Sequence, residues 1–138
     1  PVAYNVTCDD KKASVITDLG YYDDYIVSNL ADSDMMLVEA NHDINMLQLG
    51  SYPYYLKQRI LGDKGHLSNE TSARLINNLL NDHIKGIYLG HLSKENNYDK
   101  LAYETVKLEI DMSENEYKAG DIYIEVANRS EPSSLLEI

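Results

Sequence analysis

The sequence predicts a single α/β domain, and three observations carry that expectation. Short apolar runs alternate with stretches whose apolar residues recur at helical spacing across residues 13–111. At 138 residues the chain is near the usual size of one domain, spanning 1–138, and long enough to bury roughly two thirds of its extended surface. Its composition, 43% hydrophobic and 25% charged, is that of globular material rather than of a disordered or fibrous chain.

Residues 2–7 read as a strand, Asp9-Asp10-Lys11-Lys12 as a hairpin turn, and residues 13–17 as a second strand that stops at Asp18-Leu19-Gly20. Tyr22, Tyr25, Ile26 and Leu30 share one face of a short helix. Residues 35–38 are an apolar run that fits a buried strand ending at Glu39, whereas residues 41–51 look irregular. Pro53 suits the first turn of a helix carrying Tyr55, Leu56 and Ile60, which the glycines of residues 62–65 break. Ser68 or Asn69 caps the next helix, whose apolar face holds Ala73, Ile76, Leu79, Leu80 and His83. Residues 86–90 form a buried strand. After Ser93 a helix runs to about Asp111 with Leu101, Ala102, Val106 and Ile110 inward. Ile122, Ile124 and Val126 alternate with Tyr123 and Glu125 as a last, half-exposed strand, and the polar tail from Asn128 has no clear place.

Composition narrows the function classes. Cys8 is the one cysteine, which excludes an intramolecular disulfide and a cysteine-based zinc cluster and makes a reducing, cytoplasmic compartment the default expectation. Its acidic neighbour Asp9 favours a buried or neutral thiol. No run is long enough to span a membrane. Net charge −11 argues against a generally basic nucleic-acid footprint, yet leaves room for phosphodiester chemistry through bound metal. Twelve tyrosines and no Phe or Trp mean that tyrosine takes core places elsewhere held by Phe.

The candidate chemistry lies where strands end. Asp18 closes an apolar strand before a glycine, a position that suits either a metal ligand or a helix cap. His91 ends the strand of residues 86–90 in the same way, as a ligand or a hydrogen-bonded loop residue. His66 follows Gly65 just before a helix start, where an anion is favoured, although it also suits a capping role. Glu39, His42 and Asp43 cluster after the strand of residues 35–38, in a pattern that solvated surface also produces. Lys57, Arg59 and Lys64 gather near the His66 loop, placed for phosphate or simply on a solvated helix face. His83 reads as a packing residue or a partner of the helix dipole.

Taken in order, Thr17-Asp18-Leu19-Gly20, Leu37-Val38-Glu39-Ala40-Asn41-His42-Asp43, Ser51-Tyr52-Pro53, Leu56-Lys57, Arg59-Ile60, Gly65-His66-Leu67-Ser68-Asn69 and Gly90-His91-Leu92-Ser93-Lys94-Glu95-Asn96-Asn97 resemble the metallo-β-lactamase-fold hydrolases. The nearest branch is the bacterial phosphodiesterase or exonuclease-like group tied to a cell-wall two-component operon and related to the tRNA 3′-end processing endonucleases. The resemblance spans about residues 1–110. It implies a pair of zinc or manganese ions, with Asp18 as the bridging aspartate and His91 as the last ligand histidine. His66 matches the phosphate-side histidine, and Glu39 the acid that orients it.

The family's H-x-H-x-D-H motif occurs nowhere in the chain. The resemblance is therefore to a C-terminal portion, half of a four-layer αββα sandwich with helices covering a mixed sheet, expected to be inactive alone. The expected substrate is nucleic acid or another phosphodiester, with no membrane partner. A β-lactam or thioester hydrolase and a non-catalytic interaction module on the same fold are the alternatives. A half sandwich leaves one sheet face bare, so self-association is expected as well.

Overall fold

Strands buried on both sides need a neighbour at each edge and a layer above, and the chain supplies them in sequence order. The computed structural model describes residues 2–138. Its strands β1 (Val2–Cys8), β2 (Lys11–Thr17), β3 (Met35–Glu39), β4 (Gly86–Gly90) and β5 (Ile124–Val126) form one sheet in the order β1-β2-β3-β4-β5. The β1–β2 pair is an antiparallel hairpin, and every later pair is parallel. The helices are α1 (Asp24–Leu30), α2 (Ile44–Leu49), α3 (Tyr54–Leu61), α4 (Asn69–Leu79) and α5 (Asp99–Met112).

Parallel neighbours require crossovers, and right-handed crossovers that always step toward the same edge put their helices on one face. Leu30 of α1, Ala73, Ile76 and Leu79 of α4, and Ala102, Val106 and Ile110 of α5 pack with Ile16, Met36, Val38, Ile87 and Leu89 in one buried cluster. Residues Ser14, Ile16, Met36 and Val38 are accordingly buried, while Ala13, Val15, Met35 and Leu37 on the opposite face are only half-buried. The architecture is thus a mixed five-stranded sheet with helices, the half sandwich expected above.

The open face is not wholly bare. The C-terminal segment crosses it: the Tyr88 hydroxyl donates to the Ser134 carbonyl at 2.6 Å. Leu135, Leu136 and Ile138 line an apolar hollow of about 480 Å³ with Ala13, Met35, Leu37 and Tyr88. Leu135 nevertheless stays 93% exposed, so the cover is partial.

Several sequence expectations are corrected. Residues 44–49, read as irregular, form α2, because the Asp43 carboxylate caps it by accepting the Met46 N–H at 2.8 Å. His83 lies beyond α4: the helix ends at Leu79, and Asn81 accepts the His83 N–H, leaving an exposed ring 3.3 Å from Asp34. The last long helix begins at Asp99 rather than after Ser93, because Asn96 and Asn97 are buried in polar contacts. Cys8 is exposed, since it sits on the uncovered edge strand. Among the described residues no helix is long and apolar enough to cross a membrane.

Gly20 brings the Asp18 loop against the His66 loop, and Gly65 folds the His66 loop back on the end of α3. A Cβ on Gly20 would lie 2.5 Å from the Gly62 carbonyl oxygen and from the Gly65 nitrogen, and one on Gly65 would lie 2.0 Å from the Ile60 carbonyl oxygen. Both obstacles are backbone, so no side chain can swing aside. Gly20→Ala is expected to lower stability by about 2 kcal/mol or more, through overpacking against the His66 loop, in urea unfolding followed by circular dichroism. An unchanged midpoint would show that the two loops are not held this closely.

Candidate metal centre

All carboxyl ends of parallel strands point to one edge of a sheet, and in open α/β sheets that edge is where ligands bind. Here β2 delivers Asp18, β3 ends at Glu39 and β4 delivers His91. Asp18 and His91 both turn into the left-handed region, each with φ of 56°. That conformation swings each side chain out of its strand direction, and Asp and His tolerate it better than most residues.

Glu39 sits at the centre. Its carboxylate is fully buried and accepts three hydrogen bonds. Oε1 takes the Nδ1 groups of His66 at 2.6 Å and His91 at 2.9 Å, and Oε2 takes the Leu19 N–H at 3.0 Å. A buried carboxylate demands such donors, and each imidazole that donates through Nδ1 keeps its Nε2 lone pair for another task. The rings meet edge to face, with centroids 5.2 Å apart. His91 Nε2 stands 3.9 Å from Asp18 Oδ1, and His66 Nδ1 stands 3.7 Å from the same oxygen. One donor atom from each of Asp18, His66 and His91 lies within 4.8 Å of the others.

The loops that carry these side chains are bonded to one another. The Asn41 N–H donates to the Leu67 carbonyl, the Asn69 N–H to His42, and the Ser93 N–H to Asn41, so residues 40–42 lie between the His66 and His91 loops. Side-chain amides complete the frame. Asn41 Nδ2 donates to the His91 carbonyl at 2.8 Å, holding that left-handed residue in place. Buried Asn69 and Asn97 exchange amide hydrogen bonds at 3.0 and 2.8 Å, and Asn97 also donates to the Ala40 carbonyl.

The four residues singled out from the sequence, Asp18, Glu39, His66 and His91, thus converge. His42 stands apart from the hydrogen-bonded set: its ring is buried, neither nitrogen has a partner among the described residues, and burial and then the His66 charge push its pKa down to about 4. Asp43 is the α2 cap. Ser68, of the two candidates, caps α4 by accepting the Thr71 N–H. Lys57 donates to the carbonyls of Gln48 and Gly50, whereas Arg59 and Lys64 line an open cleft of about 1100 Å³ above the centre. Sequence reasoning gave Asn97 no role, although its place in the Lys94–Asn97 stretch was the available signal.

Asp18 is strained where it stands, and its side chain is 60% exposed and, among the described residues, makes no hydrogen bond, with the two imidazoles no nearer than 3.7 Å. Left-handed backbone costs an L-residue roughly 1–2 kcal/mol, and glycine relieves it at an entropy cost of about 0.5–1 kcal/mol. Asp18→Gly is therefore expected to raise stability by about 0.5–1 kcal/mol in thermal unfolding, although it removes a candidate ligand. A loss of stability would show that Asp18 has a structural role.

No protein-family model matches the chain, and no solved structure matches it. Among curated proteins it is similar to the exodeoxyribonuclease WalJ of Streptococcus pneumoniae (strain R6), with 48% identity over 106 residues, 77% of this chain and 39% of that protein. It is also similar to the exodeoxyribonuclease YycJ of Bacillus anthracis, with 39% identity over 106 residues, 77% of this chain and 40% of the relative. The chain thus spans about two fifths of the length of the curated relatives it matches.

Proposed function

We propose that this chain supplies part of the centre of a metal-dependent hydrolase that cleaves phosphodiester bonds in nucleic acid, working in the cytoplasm. The observation that carries this reading is the pairing of His66 and His91 on one buried carboxylate, with Asp18 beside both. The names of the similar proteins, exodeoxyribonucleases, support the substrate class.

The donor set, one carboxylate and two imidazoles within 4.8 Å, fits a divalent ion such as zinc or manganese. Asp18 and His91 would hold it, because His91 uses Nδ1 for Glu39 and presents Nε2 toward Asp18. In such a site an ion supplies Lewis-acid polarisation of the phosphoryl oxygen and acidification of water. His66 takes the other role. Glu39 fixes its Nδ1, which orients the ring and leaves Nε2 as the atom that, once it has taken up a proton, would donate it to the leaving oxygen. Arg59 and Lys64 supply positive charge for phosphate on the cleft wall.

Two ligands are too few for a tight site, since catalytic zinc normally takes three from protein. Zinc or manganese calorimetry on this chain is expected to show affinity weaker than about 1 µM, lost in Asp18→Ala and in His91→Ala and largely kept in His66→Ala. The chain alone should leave a labelled oligodeoxynucleotide uncut. In a protein carrying this chain with a complete ligand set, His66→Ala should cut turnover about 10²- to 10⁴-fold while metal content holds. Metal binding indifferent to Asp18 and His91 would overturn the reading, and loss of metal in step with activity in His66→Ala would make His66 a ligand.

The half-covered sheet face is proposed to bind a second copy. Tyr4 and Val6 on the edge strand are 62% and 64% exposed, and they pair in register with Val15 and Ala13 of the same face. Net charge −11 opposes association, so light scattering should show growing mass as salt rises. A 15.7 kDa monomer at high salt and high concentration would contradict it.

A further inference from the structure

The charge of the molecule is unevenly placed. Four of its twelve basic side chains line the cleft above the candidate centre, against three of its twenty-three acidic ones. The cleft is therefore slightly positive on a strongly negative chain. Among the described residues the side chains of Arg59, Lys64 and Lys94 make no hydrogen bond or ion pair within the chain, whereas that of Arg129 is tied to the Leu92 carbonyl. Two tyrosines, Tyr52 and Tyr98, line the same cleft, and among the described residues neither hydroxyl is engaged by another side chain. Tyr98 is 55% exposed and directly precedes α5, so its backbone is anchored at a helix start while its ring is left uncovered.

Exposed aromatic faces beside unpaired cations are the two ingredients of unpaired-strand binding: the cations follow the backbone, and bases stack on the rings irrespective of sequence. A duplex keeps its bases stacked inside and its phosphates on a convex outer surface, so it cannot offer both to a concave site. We infer that the cleft is a binding site for an unpaired polynucleotide strand, with Arg59, Lys64 and Lys94 on its phosphates and Tyr98, aided by Tyr52, stacking on its bases. This deepens the phosphodiesterase reading and rests on it for the purpose of the site, but not for its chemistry, because strand binding needs no metal.

The test is fluorescence anisotropy of a labelled thymidine oligomer of about ten nucleotides, a matching uridine oligomer and a blunt DNA duplex, with the chain in EDTA. The single strands should bind more tightly than the duplex, and comparing the two tells whether the sugar matters. Tyr98→Leu should weaken single-strand binding about ten-fold, while Tyr98→Phe keeps it, since only the ring face is used. Lys94→Ala should flatten the dependence of log affinity on log salt by about 0.7, and Tyr98→Leu should leave that slope alone. Equal binding by wild type and Tyr98→Leu, or a duplex bound as tightly as the strand, would overturn the inference. Strand binding through Tyr98 in a chain whose metal affinity ignores Asp18 and His91 would sink the hydrolase reading and leave this one standing.

Discussion

The Glu39 carboxylate is the constraint around which the site is arranged. It has no solvent, so its oxygens must be satisfied by protein, and the donors that reach it are the two site imidazoles and the Leu19 amide. That single requirement orients both rings, selects the nitrogen each uses inward, and ties the loop after β2 to the end of β3. Removing the acid would free three groups at once, which is why the arrangement behaves as a unit rather than as a set of separate side chains.

The sheet topology explains how three distant loops come to share one acid. Four parallel strands laid down in chain order bring every carboxyl end to the same edge, and crossovers of one hand stack α1, α4 and α5 on the same face. The same regularity leaves the other face with only the C-terminal segment as cover. Close approach of Gly20 to Gly62 and Gly65 then draws the Asp18 and His66 loops together at that edge. Site geometry and the half-covered sheet have one origin.

Much of this was legible where short-range pattern decides. Gly86–Gly90 and Met35–Glu39 read as buried strands because their apolar runs stand between polar or glycine breaks, and Ser68 announces α4. Pattern failed where long-range contacts decide. Six-residue α2 is too short to show periodicity, and Asp43 together with the Asn96 carbonyl, which accepts the Asp43 N–H, secures its start. The apolar face of α4 continues to His83 in sequence, but Asn81 turns the chain first. The positions of Asp18, His66 and His91 drew notice as strand and loop ends, while the role of Glu39 came only through resemblance. Its donors lie 20, 27 and 52 residues away, beyond any local signal.

The central claim is that Glu39 sets the proton of both imidazoles on Nδ1. Long-range nitrogen–proton correlation spectra of the chain labelled with ¹⁵N-histidine, recorded where the rings are neutral, read that proton directly. His66 and His91 are both expected to appear as the Nδ1–H tautomer in the wild type, and Glu39→Ala is expected to release both to the ordinary mixture. A proton on Nε2 of either ring in the wild type, or tautomers untouched by the substitution, would contradict it.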